Sequence, residues 1–186
     1  MVIFVSILRG INVSGHNLIS MDALRKMYKD LGFSNITTYV QSGNVVFTST
    51  NTDPEKLEKK IAQQLKNSFG FDVPVIVLTI DKLQRIIDNN PFSKDLSKDQ
   101  VFLHVTFFSS KPDMQQVSTI EEKKPAGEEI AVTEHAVYLY CPNGYGNTKL
   151  SNTFLEAKLK VEATTRNWKT TNKLLEIAKS LCKTFD

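Results

Sequence analysis

The sequence NITTYVQSGNVVFTS at residues 35–49 decides the fold that we predict for this chain. Two runs rich in β-branched and aromatic residues, 35–40 and 44–49, flank the segment Gln41-Ser42-Gly43. A short glycine-containing connection between two such runs is typical of a β-hairpin. We therefore predict two neighbouring antiparallel strands here.

Signals on both sides of this hairpin complete a β-α-β-β-α-β order. The apolar residues 2–8 predict a buried strand, and residues 20–31 predict an amphipathic helix with a serine at its N-cap. Residues 53–70 begin with Asp-Pro and end with glycine, which indicates a second helix. Residues 73–79 predict a closing strand. This order is the ferredoxin-like arrangement.

The same order of elements starts again after a predicted connector helix at residues 81–89. The predicted elements are a strand at 101–108, a helix at 111–120, strands at 129–133 and 137–141, a helix at 151–159, a strand at 162–165 and a final helix at 171–185. We therefore predict an α+β fold of two ferredoxin-like (βαββαβ) subdomains, a structural duplication, with a C-terminal helix. The predicted boundaries are residues 1–90 and 91–186.

Composition places the chain among ordinary globular proteins. Its 186 residues are 41% hydrophobic and 23% charged, with a formal net charge of +3. Residues 147–185 hold eight basic and three acidic residues. This basic excess favours anionic ligands, but lysines on the outer face of a solvated helix also produce it.

The two cysteines and the N-terminus predict a reduced, cytoplasmic setting. Cys141 and Cys182 are far apart and belong to no CxxC pair, so neither a disulfide framework nor a zinc site is indicated. The first apolar run is only seven residues long and resembles a strand rather than a signal peptide. No apolar segment approaches the ~20 residues that span a bilayer, so we expect no membrane partner.

Polar residues collect where the first strand and the hairpin are predicted to end. In a β-α-β-β-α-β unit the loop after the first strand and the turn between the second and third strands share one edge of the sheet. We call residues 9–17 and 41–44 the N-terminal corner. Two glycines in the first loop let backbone N–H groups approach an anion, and an arginine adds a fork of donors. The predicted ligand-binding residues here are Arg9, Asn12, Asn17, Gln41, Ser42 and Asn44, together with Tyr39 on the strand beside the turn.

A second polar corner is predicted in the other half. The loop at residues 142–147 and the strand end at residues 164–168 share an edge, and we call them the C-terminal corner. Its predicted ligand-binding residues are Arg166, Asn167 and Trp168. Each arginine could instead hold a structural salt bridge, and the asparagines are common turn residues. Trp168 could pack against the C-terminal helix or stack on a ligand.

Three motifs of the chain resemble a known family. LRGINV at residues 8–13, TYVQSGNV at residues 38–45 and ATTRNW at residues 163–168, in this order, are similar to the bacterial family catalogued as domain of unknown function 1697. The resemblance covers nearly the whole chain. It implies a two-subdomain α+β protein with ferredoxin-like halves, and it carries no established reaction.

Common catalytic and cofactor motifs are absent from the sequence. The three histidines lack metal-ligand spacing, and there is no GxSxG, GxxxxGK[ST] or GxGxxG motif. We therefore predict no metal and no cofactor, and we assign no catalytic residue. His16 is the only histidine in a predicted corner; it could act as a general base or lie exposed in the loop.

These patterns predict a protein that binds a small anionic or phosphorylated ligand, such as a nucleotide. A transferase or hydrolase acting on such a ligand is one alternative, and a protein-interaction module without catalysis is another. Nucleic acid is a disfavoured partner, because the third strand supplies one aromatic residue, Phe47, and no basic residue where RNA-recognition sheets need more.

Overall fold

The computed structural model describes residues 1–182, so the predicted end of the last helix near Phe185 lies outside the described residues. The fold is α+β, with two four-stranded antiparallel sheets, helices and a C-terminal helix. The chain divides into two units, Met1–Gln84 with the segment from Lys173, and Arg85–Asn172. The predicted boundary at residues 90/91 falls inside the second unit.

The first unit contains the predicted order of elements. These are β1 (Val2–Leu8), α1 (Met21–Asp30), β2 (Ser34–Tyr39), β3 (Asn44–Ser49), α2 (Pro54–Phe69) and β4 (Val75–Thr79), followed by α3 (Ile80–Asp88), which leads into the second unit. The sheet has the strand order β2-β3-β1-β4. The hairpin at residues 35–49 is therefore confirmed as β2 and β3.

The second unit has a sheet with the strand order β6-β7-β5-β8. Its elements are β5 (Leu103–Phe108), α4 (Val117–Glu122), β6 (Glu129–Val132), β7 (Ala136–Tyr140), α5 (Asn152–Leu159) and β8 (Ala163–Asn167), followed by α6 (Trp168–Cys182). Within residues 1–182 no helix is long and apolar enough to cross a membrane.

Local capping explains where the helices start. The Ser20 side chain accepts a hydrogen bond from the Ala23 N–H at 3.1 Å, as the sequence predicts for α1. Asp53 caps α2, and Gly70 ends it in the left-handed conformation at φ 83°. The last helix begins at Trp168 rather than near 171, because the Asn167 side chain accepts from the N–H of Thr170 at 2.8 Å.

The predicted helix at residues 111–120 differs most from the structure. It is a 3-10 turn, Met114–Gln116, followed by the short helix α4. The cause lies in Asp113, whose side chain accepts from the Gln115 N–H at 3.0 Å and begins a tight turn there. Similarly, Asp99 caps a 3-10 turn at Gln100–Phe102, so β5 starts at Leu103 rather than at 101.

Each sheet has its own apolar core. In the first unit an aromatic group fills the space between sheet and helices, with Tyr28 packed edge-on against Phe47 at 5.4 Å between ring centroids. The Tyr28 hydroxyl is satisfied by Ser6 at 2.7 Å. In the second unit the core includes Phe108, Leu139 and Leu155.

Candidate functional site

The N-terminal corner is built on a close approach of two backbone segments. The Leu8 N–H donates to the carbonyl of Gly43 at 2.8 Å, which joins the end of β1 to the hairpin turn. Gly43 has φ 77°, and a Cβ at this position would lie 2.7 Å from the Cβ of Leu8 and 2.9 Å from the Cδ1 of Ile11. Only glycine fits this crossing without a shift of its neighbours.

Asn12 ties the loop to the hairpin. Its amide nitrogen donates to the carbonyl of Ile19 at 2.9 Å and to the carbonyl of Gln41 at 2.8 Å. Its side-chain oxygen accepts from the N–H of Ile19 at 2.8 Å. The predicted contact between the first loop and the hairpin turn is therefore confirmed. The Asn12 side-chain amide forms the hydrogen bonds that hold the two segments together.

Two further asparagines of this corner also bond to their own surroundings. Asn17 donates to the carbonyl of Gly10 at 3.0 Å. Asn44 is buried and donates to the carbonyl of Tyr39 at 3.1 Å and to the Ser42 hydroxyl at 2.9 Å. These side chains shape the loop and the turn, which is the turn role that asparagine often has.

The surface of the N-terminal corner is partly apolar. Arg9, Tyr39 and Ser42 are half-buried, whereas Gln41 and His16 are exposed. Three large apolar side chains around these residues are also exposed, by 54% at Val13, 68% at Leu18 and 50% at Val40. Val40 has φ 50°, a conformation that is strained for a β-branched residue.

The C-terminal corner holds an aromatic stack that the sequence did not indicate. Tyr145, in the 3-10 turn Tyr145–Asn147, stacks on the imidazole of His104 with 4.8 Å between ring centroids and 22° between planes. The Nδ1 of His104 lies 3.1 Å from the carbonyl oxygen of Phe102. A carbonyl oxygen can only accept, so Nδ1 carries the hydrogen and Nε2 keeps its lone pair in the neutral ring.

A chain of hydrogen bonds orients the Asn152 amide beside this stack. The Thr165 hydroxyl donates to Asn152 Oδ1 at 2.6 Å, and the Tyr145 hydroxyl donates to the same oxygen at 3.5 Å. Because Thr165 Oγ1 donates there, it accepts from the Thr106 hydroxyl, 2.7 Å away. With Oδ1 occupied, the Nδ2 of Asn152 is presented as a pair of donors at the first residue of α5.

Arg166 lies in β8, the edge strand next to β5. Its guanidinium donates to the carbonyl of Thr165 at 2.9 Å. Burial lowers the pKa of Arg166 to about 10, and the neighbouring Tyr145 hydroxyl partly offsets that effect. Burial likewise lowers the pKa of His104, against a smaller opposing effect of its bond to Phe102. We call His104, Tyr145, Asn152, Thr165 and Arg166 the Arg166 cluster.

A buried carboxylate anchors the loop that carries Tyr145. Thr148 donates to Glu128 Oε2 at 2.5 Å, and its oxygen accepts from the Leu150 N–H at 3.1 Å. The Cys141 thiol lies 3.9 Å from the same carboxylate oxygen. Burial and the charge of Glu128 raise the pKa of Cys141 to about 12, so this thiol is no nucleophile at neutral pH.

The other two residues predicted for this corner have structural contacts. Asn167 caps α6 through its side chain, as described above. Trp168 is 7% exposed, which favours packing over stacking on a ligand. Arg9 lies in the first unit and Arg166 lies in the second, so each corner belongs to its own unit. Among residues 1–182 no group of three or more His, Cys, Asp and Glu is placed to hold a metal ion.

Sequence reasoning predicted Arg166 as a ligand-binding residue and missed the other four members of the Arg166 cluster: His104, Tyr145, Asn152 and Thr165. The available signal was weak. His104 alternates with apolar residues in β5, as a half-buried polar residue does, and Tyr145 stands between the two glycines of the loop. Neither pattern indicates that the two rings stack.

Comparison with known proteins agrees with this architecture. The sequence profile described as protein of unknown function (DUF1697) matches residues 1–138. The chain belongs to the DUF1697 family. A solved structure of a conserved bacterial protein from Streptococcus pneumoniae is similar to this DUF1697 protein, with a TM-score of 0.74 and 24% sequence identity. The alignment covers 95% of this chain and 98% of that chain, and it shows a shared fold. No curated protein matches the chain.

Proposed function

We propose that this DUF1697 protein binds a small anionic ligand, such as a phosphorylated compound, at the Arg166 cluster. The observation that carries the proposal is a pair of polar atoms on His104 and Asn152, which both contact Tyr145, the residue whose hydroxyl also acts on the charge of Arg166. Neither Asn152 Nδ2 nor His104 Nε2 makes a hydrogen bond with any residue in the described part of the chain. Each of these atoms can therefore form a hydrogen bond with a ligand.

The positive charge of Arg166 favours an anionic ligand. Desolvation opposes the positive charge of Arg166, as the lowered pKa shows. An anion that contacts the guanidinium would form hydrogen bonds to a charged group, which contribute ~1.5–3 kcal/mol. The Asn152 amide adds two neutral donors, and the positive end of the α5 dipole lies at the same residue.

A titration with a phosphate panel tests the proposal. Inorganic phosphate, phenyl phosphate and nucleoside monophosphates are titrated into the protein and binding is measured by calorimetry. We expect at least one of them to bind. Arg166→Ala should weaken that binding by ~1.5–3 kcal/mol, and Arg166→Lys should recover only part, since an ammonium lacks the planar fork. Arg85→Ala, an exposed arginine of α3, is the matched control. No binding by the folded protein at millimolar concentration contradicts the proposal.

The variant Arg9→Ala tests whether the ligand binds at the N-terminal corner rather than at the Arg166 cluster. The predicted N-terminal residues Arg9, Tyr39, Gln41 and Ser42 remain candidates for a second anion site. If Arg9→Ala weakens binding and Arg166→Ala leaves it unchanged, the ligand site is the N-terminal corner instead.

Protein interaction at the N-terminal corner is the second candidate function. Exposed Val13, Leu18 and Val40 support it, together with the strained backbone of Val40, because such strain often accompanies functional sites. Val40→Asn removes the apolar side chain and tolerates a positive φ. Loss of a copurifying partner in this variant, and its retention in Leu96→Asn at another exposed residue, would favour this function.

We also infer that each unit is ferredoxin-like and that the two arose by duplication, with a cytoplasmic location. The equivalent strand orders of the two sheets support the duplication. The corners are not equivalent, however. The N-terminal corner follows the first strand of its unit, whereas the Arg166 cluster lies where β5 begins and β8 ends.

A further inference from the structure

Four strands lie at the edges of the two sheets, and β2 is the most open of them. β4 and β8 are mostly buried, and β6 carries Glu129, whose carboxylate is paired with the Lys98 ammonium at 2.7 Å. The β2 sequence SNITTY contains no buried residue, no charged residue and no proline. Charged side chains and prolines are the usual means by which an edge strand resists pairing with another chain. β2 has neither.

The outer side of the β2 backbone is available for pairing. Residues 37–39 pair with β3 in antiparallel register, and a bulge interrupts the ladder only between Ser34 and Thr37. In such a pair alternate residues direct their N–H and C=O groups toward the partner strand, and the residues between them direct these groups away. Within residues 1–182 no group outside β3 forms a hydrogen bond with the backbone of residues 36–38. Another extended chain can therefore add to this edge.

A basic groove lies beside this edge, between α1 and the first half of β2. It encloses about 430 Å³ and is lined by Arg25, Lys26 and Lys29 of α1 and by residues 33–36, which together supply three cations and no acid. Arg25 reaches across to the strand, because its guanidinium donates to the Thr38 hydroxyl at 2.5 Å. We call Arg25, Lys26, Lys29 and residues 33–36 the β2 groove.

The cations of the β2 groove are accessible to an anionic partner. Lys29 is exposed and has no ion-pair partner in the part of the chain that the structure describes. Arg25 pairs with Asp22 of its own helix. Lys26 pairs with Asp30, one turn further along, at 2.7 Å. Exposed pairs of this kind contribute little to stability, so carboxylates of a ligand can compete with them.

We propose that β2 and the β2 groove bind an acidic peptide in extended conformation, which adds to the four-stranded sheet as a fifth strand beside β2. Successive side chains of a strand point to opposite faces of the sheet, so alternate side chains of the added strand lie on the face that α1 covers. Acidic residues at these positions face the cations of the groove. Backbone pairing supplies affinity, and charge selects the peptide. This surface belongs to the first unit, whereas the Arg166 cluster belongs to the second.

The probe is a fluorescein-labelled hexapeptide in which glutamate alternates with threonine or valine, and fluorescence anisotropy measures its binding. Two further versions carry N-methyl groups, one on the odd-numbered amides and one on the even-numbered amides. Only one set of amides can face β2, so one version should bind ~10-fold more weakly or worse, and the other should keep most of its affinity. Equal binding of the two versions would indicate attraction between charges without strand pairing, and the proposal would be wrong.

Charge reversal tests the groove. Lys29→Glu should weaken binding of the hexapeptide several fold, because it places a carboxylate next to the glutamates of the probe. Lys82→Glu, at an exposed lysine of α3, makes the same change in net charge and is the matched control. Its affinity should stay close to that of the wild type. Equal weakening by both variants would assign binding to net charge and overturn the proposal.

Amide exchange of the wild-type protein tests the proposal even if the variants fail to fold. Saturating hexapeptide should slow exchange within residues 36–38 and leave β6, the edge of the other sheet, unchanged. No slowing there, or no binding by the folded protein at millimolar peptide, overturns the proposal. If sedimentation shows a dimer that already protects these amides, β2 pairs with a second copy instead. Tighter binding of a uridine oligonucleotide, with the same dependence on Lys29, would make the groove a nucleic-acid site and equally overturn the peptide.

Discussion

Replacing Gly43 with alanine should strongly destabilise the first unit. Two costs add at this position. The backbone has φ 77°, and left-handed geometry costs an alanine ~1–2 kcal/mol. The new methyl group would also lie 2.7 Å from Leu8 Cβ and 2.9 Å from Ile11 Cδ1, and overpacking of this kind costs ~1–3 kcal/mol. We therefore expect Gly43→Ala to lower the free energy of unfolding by ~2–5 kcal/mol.

Gly32→Ala is the matched control for the backbone cost. Gly32 has φ 85°, but a Cβ there would meet no atom within 4 Å. It should therefore show only the first cost, and any gain from a stiffer unfolded chain is the same in both variants. Urea denaturation followed by far-ultraviolet circular dichroism measures both, with amide exchange in β1 as the local readout. Equal destabilisation by Gly43→Ala and Gly32→Ala would refute the steric part of the reasoning.

Three further variants test the packing. Tyr28→Phe should cost ~0.5–1.5 kcal/mol by urea denaturation, because it removes the buried bond to Ser6. Burial raises the pKa of Tyr28, so above pH 10 the unfolded chain ionises this tyrosine and the folded chain does not. The wild-type protein should therefore lose stability above pH 10, and a free energy of unfolding that stays constant there would contradict this. Trp168→Ala should cost ~3–5 kcal/mol if the buried ring packs in the core, and a loss of ligand affinity with unchanged stability would assign it to binding. Asn12→Ala should speed amide exchange at Ile19, whose N–H it releases, and unchanged exchange would show that the loop holds without it.

Much of the first unit could be predicted because its signals are local. The apolar run before Arg9, the cap at Ser20, the Asp53-Pro54 start of α2 and the hairpin at residues 35–49 each depend on a few neighbouring residues. Strand ends in such a unit have only a few possible neighbours. The meeting of the first loop with the hairpin turn was therefore predictable, and Asn12 and Gln41 confirm it.

The C-terminal corner could be predicted only in part. The nearness of residues 142–147 to residues 164–168 followed from strand order, and Tyr145 does stack on His104, the cross-strand neighbour of Asn167. The hydrogen-bond partners of the polar side chains could not be predicted from the sequence, because they depend on side-chain directions across the sheet. Asn167, expected to bind a ligand, caps a helix, and its cross-strand neighbour His104 had only a weak sequence signal.

The sequence by itself determined the order of helices and strands, the two polar corners and the family, since local propensity, apolar periodicity and short motifs are properties of neighbouring residues. Tertiary structure alone decided which polar groups remain open. It directs the Asn12 and Asn44 amides to backbone carbonyls, partly buries Arg166, and brings His104, Tyr145 and Asn152 together. Burial and orientation are set by residues distant in the chain, and these two quantities determine whether an arginine or a histidine can bind and react.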